Sequence, residues 1–276
     1  MYYNRKMTVK EKITLGEVQE TLFIPLYSRA VETKKENPKI IDKEAVELMD
    51  RIDYDFSKFE SGKGSQWGVV ARTIILDKQV QKFIDEHQEC IVINIGCGLC
   101  TRCYRLDLKQ AKWYNVDFED VISAREKFLK KKDNVYNVVK SCLDETWPKE
   151  IPHKDDDNII MIVEGVLMYF TEQQVKDFIN IIKTNFKKVT ALMEIMHTLP
   201  SKFTKLHDTV AKTSATFKWG IRHAKDLEKY DSAIKYFNEW HYYDQFPERR
   251  SFRIASKIDS LKNISNKIAH YEITSQ

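Results

Sequence analysis

The chain has 276 residues, of which 42% are hydrophobic and 31% are charged. This length suits one large or two small domains, and the composition allows a substantial core beneath a well-solvated surface. The 45 basic and 41 acidic residues leave a formal net charge of only +4, spread along the chain, which argues against a dedicated nucleic-acid surface.

The amino-terminal stretch MYYNRKMTVKEK lacks an apolar core, so we expect no secretory signal. No run of about eighteen apolar residues predicts a membrane span. The five cysteines are an odd number, and three of them lie between positions 97 and 103, which disfavours a disulfide framework. We therefore expect a cytoplasmic protein with neither a nucleic acid nor a membrane as partner.

The first part of the chain reads as helices. Residues 14–60 are typical of short helices with loops, and Asp42 is a plausible N-cap for the helix KEAVELMDRI. The stretch SGKGSQ (61–66) predicts a flexible break. From Trp67 to Glu86 the apolar residues recur at helical spacing, at positions 70, 74, 80 and 84.

The pattern then changes to short apolar runs that alternate with helical stretches. The runs are CIVINI (90–95), KWYNVD (112–117), NVYNVV (134–139), NIIMIV (158–163) and VTALMEIM (189–196). Helical spacing is clearest in 118–131 and in 171–186, where Thr171 and Gln174 form a capping box. Strands that alternate with helices predict an α/β fold with a mainly parallel sheet. The β-rich segments 234–244 and 266–273 are expected to close that sheet as an antiparallel pair.

The run CIVINI leads into a glycine loop, Gly96-Cys97-Gly98. Glycine permits a tight turn and lets the backbone approach a bound ligand. Asp117 follows Gly96 by 21 positions, where a carboxylate can accept hydrogen bonds from ribose hydroxyls. A dinucleotide fingerprint would need a third glycine where Thr101 stands, so the loop favours another adenosine-bearing cofactor, S-adenosylmethionine. The alternative is a tight strand–helix turn beside an ordinary surface Asp.

Three cysteines in the same stretch raise the question of a metal site. The spacing C-x2-C-x2-C from Cys97 to Cys103 matches the start of a bacterial ferredoxin run, but Asp107 stands where a fourth cysteine would be needed. The spare thiols are Cys90 and Cys142, and Cys90 is separated from the loop by roughly 20 Å of extended chain. We therefore predict no metal site.

Several blocks, in order along most of the chain, resemble the leucine carboxyl methyltransferase family, in particular its bacterial branch of polyketide-type O-methyltransferases. The blocks are TLFIPLYSRAVE (21–32), IDYDFSKF (52–59), ARTIILD (71–77), INIGCGLCTRCYRLD (93–107), WYNVDFEDVISARE (113–126), VEGVLMYFTEQQV (163–175) and KWGIRHAKDLEKY (218–230). The resemblance implies a class I methyltransferase fold: a Rossmann-like, seven-stranded, mainly parallel sheet with helices on both faces. It also implies a single domain, 1–276, with a helical cap at 1–88, a cofactor-binding core at 89–200, and a lid insertion with closing strands at 201–276.

The resemblance implies S-adenosyl-L-methionine as cofactor and S-adenosyl-L-homocysteine as product. The positions that it assigns to cofactor binding are Arg72, Gly96, Cys97, Gly98, Asp117, Ser141, Cys142, Leu143 and Glu164. In the family, the arginine contacts the methionine carboxylate, and the segment at 141–143 flanks the adenine. Without the resemblance, Arg72 would read as a surface residue in an ion pair, and Leu143 as part of the core.

The resemblance also implies three residues at the methyl-transfer end of the site: Glu164, Tyr169 and Arg29. Glu164 follows the fourth predicted strand, and a carboxylate at the carboxyl end of a central strand faces the cofactor crevice. Tyr169 is equally compatible with an aromatic residue that packs on the core. Cys100 departs from the family, because it occupies the usual Asp position of the block. A thiol accepts hydrogen bonds poorly, so we expect weaker cofactor binding that Cys100→Asp would tighten.

The implied function is an O-methyltransferase that acts on a carboxylate or a hydroxyl of a small, polyketide-like molecule. Two alternatives are a protein C-terminal carboxyl methyltransferase and a non-catalytic cofactor-binding protein that has kept the fold. A carboxylate acceptor needs no general base, whereas a hydroxyl does, and His197 is the best-placed candidate. Segment 198–250 is rich in aromatic residues, of which we expect most to pack within the fold and a few to line an acceptor pocket.

Overall fold

A seven-stranded sheet runs through the protein. The structure is a computed structural model that describes residues 10–13, 19–201 and 215–275. The strands are β1 (Ile91–Ile95), β2 (Lys112–Asp117), β3 (Val135–Val139), β4 (Ile159–Val163), β5 (Lys188–Ile195), β6 (Ile234–His241) and β7 (Lys267–Thr274). Their order is β3-β2-β1-β4-β5-β7-β6, with β1 to β5 parallel and β7 antiparallel to both β5 and β6. The predicted mainly parallel sheet and its antiparallel closing pair are confirmed.

The helices also follow the sequence pattern closely. They are α1 (Phe23–Thr33), α2 (Lys43–Arg51), α3 (Lys63–Glu86), α4 (Arg102–Arg105), α5 (Glu119–Phe128), α6 (Glu172–Asn185), α7 (Thr198–Ser201), α8 (Arg250–Ala255) and α9 (Asp259–Ile264). Asp42 caps α2 by accepting the N–H of Ala45, and Thr171 and Gln174 form the expected capping box of α6. No described helix has the length and apolar character that crossing a bilayer requires.

One boundary differs from the prediction. The helix expected from Trp67 begins at Lys63, so most of the predicted break at 61–66 is helical. Gly62 occupies the N-cap position of α3. The first N–H groups of a helix have no partner within the helix. The glycine and serine in the first turn of α3 therefore interrupt no hydrogen bonds within the helix. This extension places the first turn of α3 beside the cavity described below.

Alternate residues of the strands face opposite layers. Ile91, Ile93 and Ile95 of β1 belong to one apolar cluster, together with the buried face of α6. Val92 belongs to a second cluster with the buried face of α3. Because successive strand residues point to opposite faces, helices cover both sides of the sheet. This arrangement confirms the expected layers.

A third apolar cluster joins α1 and α2 to the carboxyl edge of the sheet. It combines buried residues of both helices with Leu99, which follows β1, and Met168, which follows β4. The order of the strands reverses between β1 and β4, and such a switch point is where open α/β sheets bind ligands. The two helices therefore lie next to the expected binding crevice.

Candidate active site

A cavity of about 1010 Å³ lies at this carboxyl edge, and every residue that the sequence assigned to the site lines it. These are Arg29, Arg72, Gly96, Cys97, Gly98, Asp117, Ser141, Cys142, Leu143, Glu164 and Tyr169. The cavity also reaches the late segment of the chain, at Tyr242 and Asn266. One space therefore has walls from the sheet edge, the amino-terminal helices and the late segment.

The glycine loop needs its glycines. Gly96 has a φ of +57° and Gly98 a φ of +49°, a region that residues with a side chain rarely adopt. A Cβ on Gly96 would lie 2.4 Å from Cγ2 of Val166, and a Cβ on Gly98 would lie 3.3 Å from Cβ of Leu22. The loop therefore turns tightly beneath neighbouring chain while its backbone borders the cavity.

Asp117 fixes the loop from the neighbouring strand. Its Oδ2 accepts the N–H of Gly98 at 2.8 Å, and its Oδ1 accepts the N–H of Phe118 at 2.8 Å. Burial raises the pKa of Asp117, and these two N–H bonds oppose the rise. Each oxygen of a carboxylate has a second lone pair, so both can accept a further hydrogen bond from a ligand in the cavity.

Two arginines hold the carbonyl groups of the same loop. Arg125 of α5 donates from Nη1 to the carbonyl oxygens of Gly98 and Cys100, both at 2.8 Å. Arg29 of α1 donates from Nη2 to the carbonyl oxygen of Leu99 at 3.0 Å. Arg125 is buried on the apolar face of α5, and its Nε has no hydrogen-bond partner among the described residues. The loop is thus fixed by side chains as well as by its own turns.

Arg72 and Glu164 meet at the centre of the cavity wall. Nε of Arg72 donates to Oε1 of Glu164 at 2.7 Å, and Nη1 of Arg72 lies 3.0 Å from Oε2 of Glu194. The other oxygen of Glu164 accepts from Nη2 of Arg102 at 2.7 Å. Burial alone would raise the pKa of Glu164, but the charges of Arg102 and Arg72 outweigh it and lower the pKa well below its ordinary value. Glu164 is therefore ionised and held at both oxygens.

The ion pairs continue from Arg102 towards the amino-terminal helices α1 and α2. Arg102 donates to Asp77 at 2.7 Å, and Asp77 also accepts from Arg105 at 2.8 Å. Arg105 and Arg29 both donate to Oδ2 of Asp42, each at 2.8 Å. The complete chain of alternating charges is Glu194, Arg72, Glu164, Arg102, Asp77, Arg105, Asp42 and Arg29, and its formal charges cancel. Arg29 thus donates from Nε to Asp42, the N-cap residue of α2, and from Nη2 to the glycine loop.

Aromatic side chains form another wall of the cavity. The ring of Tyr169 lies 5.7 Å from that of Phe217, and burial raises the pKa of Tyr169, so its hydroxyl stays protonated at neutral pH. The aromatic residues of this wall are Trp67, Phe217, Tyr242, Tyr243, Phe246 and Phe252. As expected, only some aromatic residues of segment 198–250 reach the cavity. Phe203, in the same segment, lies outside the described residues.

His197 is not where a general base would be needed. It follows β5, but it does not line the described cavity, and its Nδ1 accepts the N–H of Leu199 at 3.0 Å. Burial, with nearby positive charge, lowers the pKa of His197 and favours the neutral ring. The sequence placed this histidine at the right strand end, but the following turn directs its Nδ1 to the backbone. These contacts are those of a structural histidine and do not support the expected role of His197 as a general base.

The three cysteines of the loop separate into two environments. Cys97 and Cys103 are buried, which raises the pKa of Cys103 to about 11 and that of Cys97 well above its ordinary value. Cys100 is half-buried at the cavity, and its Sγ accepts from Nη1 of Arg102 at 3.4 Å. Neither these three nor the other two cysteines form a disulfide. Within the described ranges, no group of three or more His, Cys, Asp or Glu residues is arranged to hold a metal.

Sequence reasoning missed several residues that organise the site. Glu194 is a single carboxylate in the otherwise apolar run VTALMEIM, and Arg125 shares the buried face of α5 with Val121 and Phe128. A charged residue on a buried face is costly unless it is paired. A charge within each of these apolar patterns therefore indicated a buried ion pair or hydrogen bond at that position. The ion pairs of Asp77 and Arg105 have no comparable signal in the sequence.

The chain is also similar in sequence to known proteins. The model of the family described as leucine carboxyl methyltransferase matches residues 23–183. A tetracenomycin polyketide synthesis O-methyltransferase of Streptomyces glaucescens is 27% identical over 231 residues, which cover 83% of this chain and 85% of that protein. An S-adenosyl-L-methionine-dependent methyltransferase of Gibberella zeae is 23% identical over 247 residues, with 82% and 83% covered.

Solved structures show the same fold at low sequence identity. A proposed methyltransferase from Thermobifida fusca YX aligns with a TM-score of 0.60 and 12% identity, over 91% of this chain and 94% of that one. A DUF574 family protein from Streptomyces avermitilis aligns with a TM-score of 0.57, also at 12% identity, over 92% and 97%. The class I methyltransferase fold is confirmed. With its family model matched over more than half of its length, the chain belongs to the leucine carboxyl methyltransferase family.

Proposed function

We propose that this protein is an S-adenosyl-L-methionine-dependent O-methyltransferase with a small-molecule acceptor. Membership of the family and the two methyltransferase relatives support this class of reaction. The observation that carries the proposal is that the glycine loop, Asp117, Arg72 and Glu164 border one cavity that continues to an aromatic wall. Such a cavity has room for a nucleoside cofactor and a second, apolar molecule.

The residues at the loop fit the cofactor. Gly96 and Gly98 border the cavity with backbone alone, and Asp117 keeps lone pairs that suit ribose hydroxyls. Nη2 of Arg72 has no acceptor among the described residues, and a guanidinium suits the methionine carboxylate. We propose further contacts with the adenine from residues 141–143 and with the cofactor from Cys97. The assignments of Asp117 and Arg72 use an acceptor and a donor that the described fold leaves available.

When bound, S-adenosyl-L-methionine supplies an electrophilic methyl group on a sulfonium. The protein then has to align an acceptor oxygen and exclude water, because no proton is needed by the departing thioether. We propose that Tyr169 and Glu164 border the methyl-transfer end and that Arg29 acts there by holding the glycine loop in place. The buried ion pairs preorganise these groups before any ligand arrives.

The hydrogen bonds of Glu164 and Glu194 disfavour both carboxylates as general bases, so we propose an acceptor oxygen that is already anionic at neutral pH. Glu164 is held ionised by two arginines, and its lowered pKa makes it a weak base. Glu194 accepts hydrogen bonds from Arg72 and Tyr242. A carboxylate is the simplest acceptor that needs no proton removal.

Calorimetry with S-adenosylhomocysteine tests the cofactor site. We expect the wild type to bind it and Asp117→Ala to lose at least about tenfold in affinity, the scale of one or two lost hydrogen bonds. Asp133→Asn, an exposed carboxylate outside the cavity, is the matched control and should bind normally. Unchanged affinity in Asp117→Ala would refute the site. Transfer of a labelled methyl group to a small molecule from a cell extract, in an ester or ether product, tests the reaction.

A further inference from the structure

We infer that Glu194 is a positioning residue that orients Arg72 towards the amino-acid carboxylate of the cofactor. This inference rests on the proposed function and deepens it, because it assigns a role to a cavity residue outside the expected set of cofactor contacts. Glu194 lies in β5, and its side chain is only 1% exposed. A buried carboxylate in an apolar strand is costly unless its partners compensate it, so those partners indicate what it does.

Each oxygen of Glu194 is fixed by a different part of the chain. Oε1 accepts the hydroxyl of Tyr242 at 2.7 Å and the side-chain N–H of Asn266 at 3.3 Å. Oε2 accepts the N–H of Gly165 at 2.9 Å. With both oxygens held from opposite sides, the carboxylate has one orientation, and it presents both oxygens to Nη1 of Arg72 at 3.2 and 3.0 Å.

Arg72 is consequently held along two of its edges. Glu164 accepts from Nε, and Glu194 accepts from Nη1. Nη2 is the guanidinium nitrogen for which the described residues provide no acceptor, and it lies beside Gly165, where an added Cβ would be 3.7 Å away. A planar guanidinium fixed at two edges presents its remaining N–H groups in one direction, here at the cavity that Arg72 lines. That direction suits a carboxylate ligand.

Neither carboxylate is sufficient by itself. With Glu164 alone, the guanidinium would be held at Nε and free to pivot about that contact. The contact of Glu194 with Nη1 prevents this rotation of Arg72. The hydrogen bond from Tyr242 in turn fixes the orientation of the Glu194 carboxylate. Glu194→Gln keeps the shape of the side chain but removes its charge and replaces one oxygen by an N–H donor. The amide keeps one acceptor oxygen, so one of the two bonds from Nη1 of Arg72 is lost, and the remaining bond is no longer to a charged group.

Two nucleoside ligands can distinguish a role of Glu194 in positioning Arg72 from a general role in supporting the cavity. S-adenosylhomocysteine carries the amino-acid carboxylate, whereas 5′-methylthioadenosine has the same nucleoside and lacks the amino-acid group. By calorimetry, we expect Glu194→Gln to weaken S-adenosylhomocysteine binding by about tenfold, the scale of one charge-assisted contact, and to change methylthioadenosine binding by less than about twofold. Tyr242→Phe keeps the ring and should weaken S-adenosylhomocysteine by about threefold, again with little effect on methylthioadenosine.

The control and the contrary results are specific. Glu228→Gln changes a glutamate that also accepts a backbone N–H, from Tyr236 at 2.7 Å, but does not line the cavity, and it should bind both nucleosides normally. Equal weakening of both nucleosides in Glu194→Gln, or no weakening of S-adenosylhomocysteine, would overturn the inference. If Glu194→Gln does not fold, Tyr242→Phe decides by the same comparison. Failure of the wild type to bind either nucleoside would instead refute the proposed function.

Discussion

Nη1 of Arg125 lies 2.8 Å from the carbonyl oxygen of Gly98, so a helix that follows β2 holds the loop that follows β1. The same nitrogen donates to the carbonyl oxygen of Cys100 at 2.8 Å. Buried carbonyl groups without a partner are costly, and a loop of tight turns has few backbone donors for them. An arginine beneath the loop therefore makes the loop's conformation depend on the packing of α5.

Arg125→Met should be strongly destabilising. The change leaves two carbonyl oxygens without their donor, and we expect the free energy of unfolding to fall by about 2–4 kcal/mol. Urea unfolding followed by circular dichroism measures this value. Lys127 lies on the same helix as Arg125 and forms an exposed ion pair with Glu11, so Lys127→Met is the control and should leave the stability nearly unchanged. A loss of stability as small in Arg125→Met as in the control would contradict the role of Arg125.

Gly96→Ala should lose cofactor binding and stability together. The new Cβ meets Val166 at 2.4 Å and forces a φ of +57° on alanine. Gly68→Ala is the control for stability alone, because Gly68 lines the same cavity but is inside α3, and its new Cβ would be in ordinary contact, 3.8 Å from the ring of Tyr242. We expect the control to gain up to about 1 kcal/mol of stability from its higher helix propensity. Melting temperatures and S-adenosylhomocysteine titrations report both effects, and a stable, binding-competent Gly96→Ala would disprove the steric argument.

Acid should weaken the fold through the buried ion pairs. Burial opposes ionisation of Glu164 and Asp42, but their arginine partners prevail and lower both pKa values below the ordinary 4.5 and 3.8. The unfolded chain therefore takes up these protons first, so this stabilisation is complete above about pH 4.5 and is lost as the pH falls further. Urea unfolding between about pH 3 and pH 7 measures the slope.

Glu164→Gln tests the source of that slope. We expect a shallower decline below about pH 4.5, because one of the titrating groups is gone. At neutral pH the variant should be less stable by about 3–5 kcal/mol, since Arg72 and Arg102 lose a buried partner. The same steep decline in wild type and variant would assign the acid sensitivity to other carboxylates.

Cys100 should be the first cysteine of the loop to react with iodoacetamide. It is half-buried at the cavity, whereas Cys97 and Cys103 are buried with raised pKa values. Only the thiolate attacks, so the buried thiols should react slowly. Peptide mapping by mass spectrometry identifies the site, and S-adenosylhomocysteine should slow the reaction. Faster labelling of Cys97 or Cys103 would contradict the described environments.

The departure at Cys100 should matter less than its position in the family block indicates. The sequence predicts that Cys100→Asp tightens cofactor binding, but the loop's carbonyl groups are already held by Arg29 and Arg125, and Gly98 by Asp117. We therefore expect tightening of no more than about threefold, the scale of one neutral hydrogen bond. Calorimetry with Cys100→Asn as control separates charge from shape. Tightening beyond about tenfold would restore the larger role for the missing Asp.

Short-range patterns in the sequence were sufficient for most of the strands and longer helices and for the glycine loop with Asp117. The capping box of Thr171 and Gln174 forms within one helical turn, and the loop from Gly96 to Asp117 forms within one strand–helix–strand unit. Such features depend on backbone geometry and on neighbours a few positions away. They could therefore be predicted, as could the alternation of strands and helices in the sheet.

The tertiary structure alone decided how the charges pair. Glu194 and Arg72 are 122 positions apart, and no local pattern joins them, nor does any local pattern direct Nδ1 of His197 to the backbone of Leu199. Whether a buried charge is tolerated depends on the donors and acceptors that surround it in space and on how far water is excluded. The fold, the glycine loop and eleven of the residues that border the cavity could be predicted before the structure was known. Three-dimensional packing decided which of these residues hold others in place, because desolvation and ion pairing are properties of the assembled site.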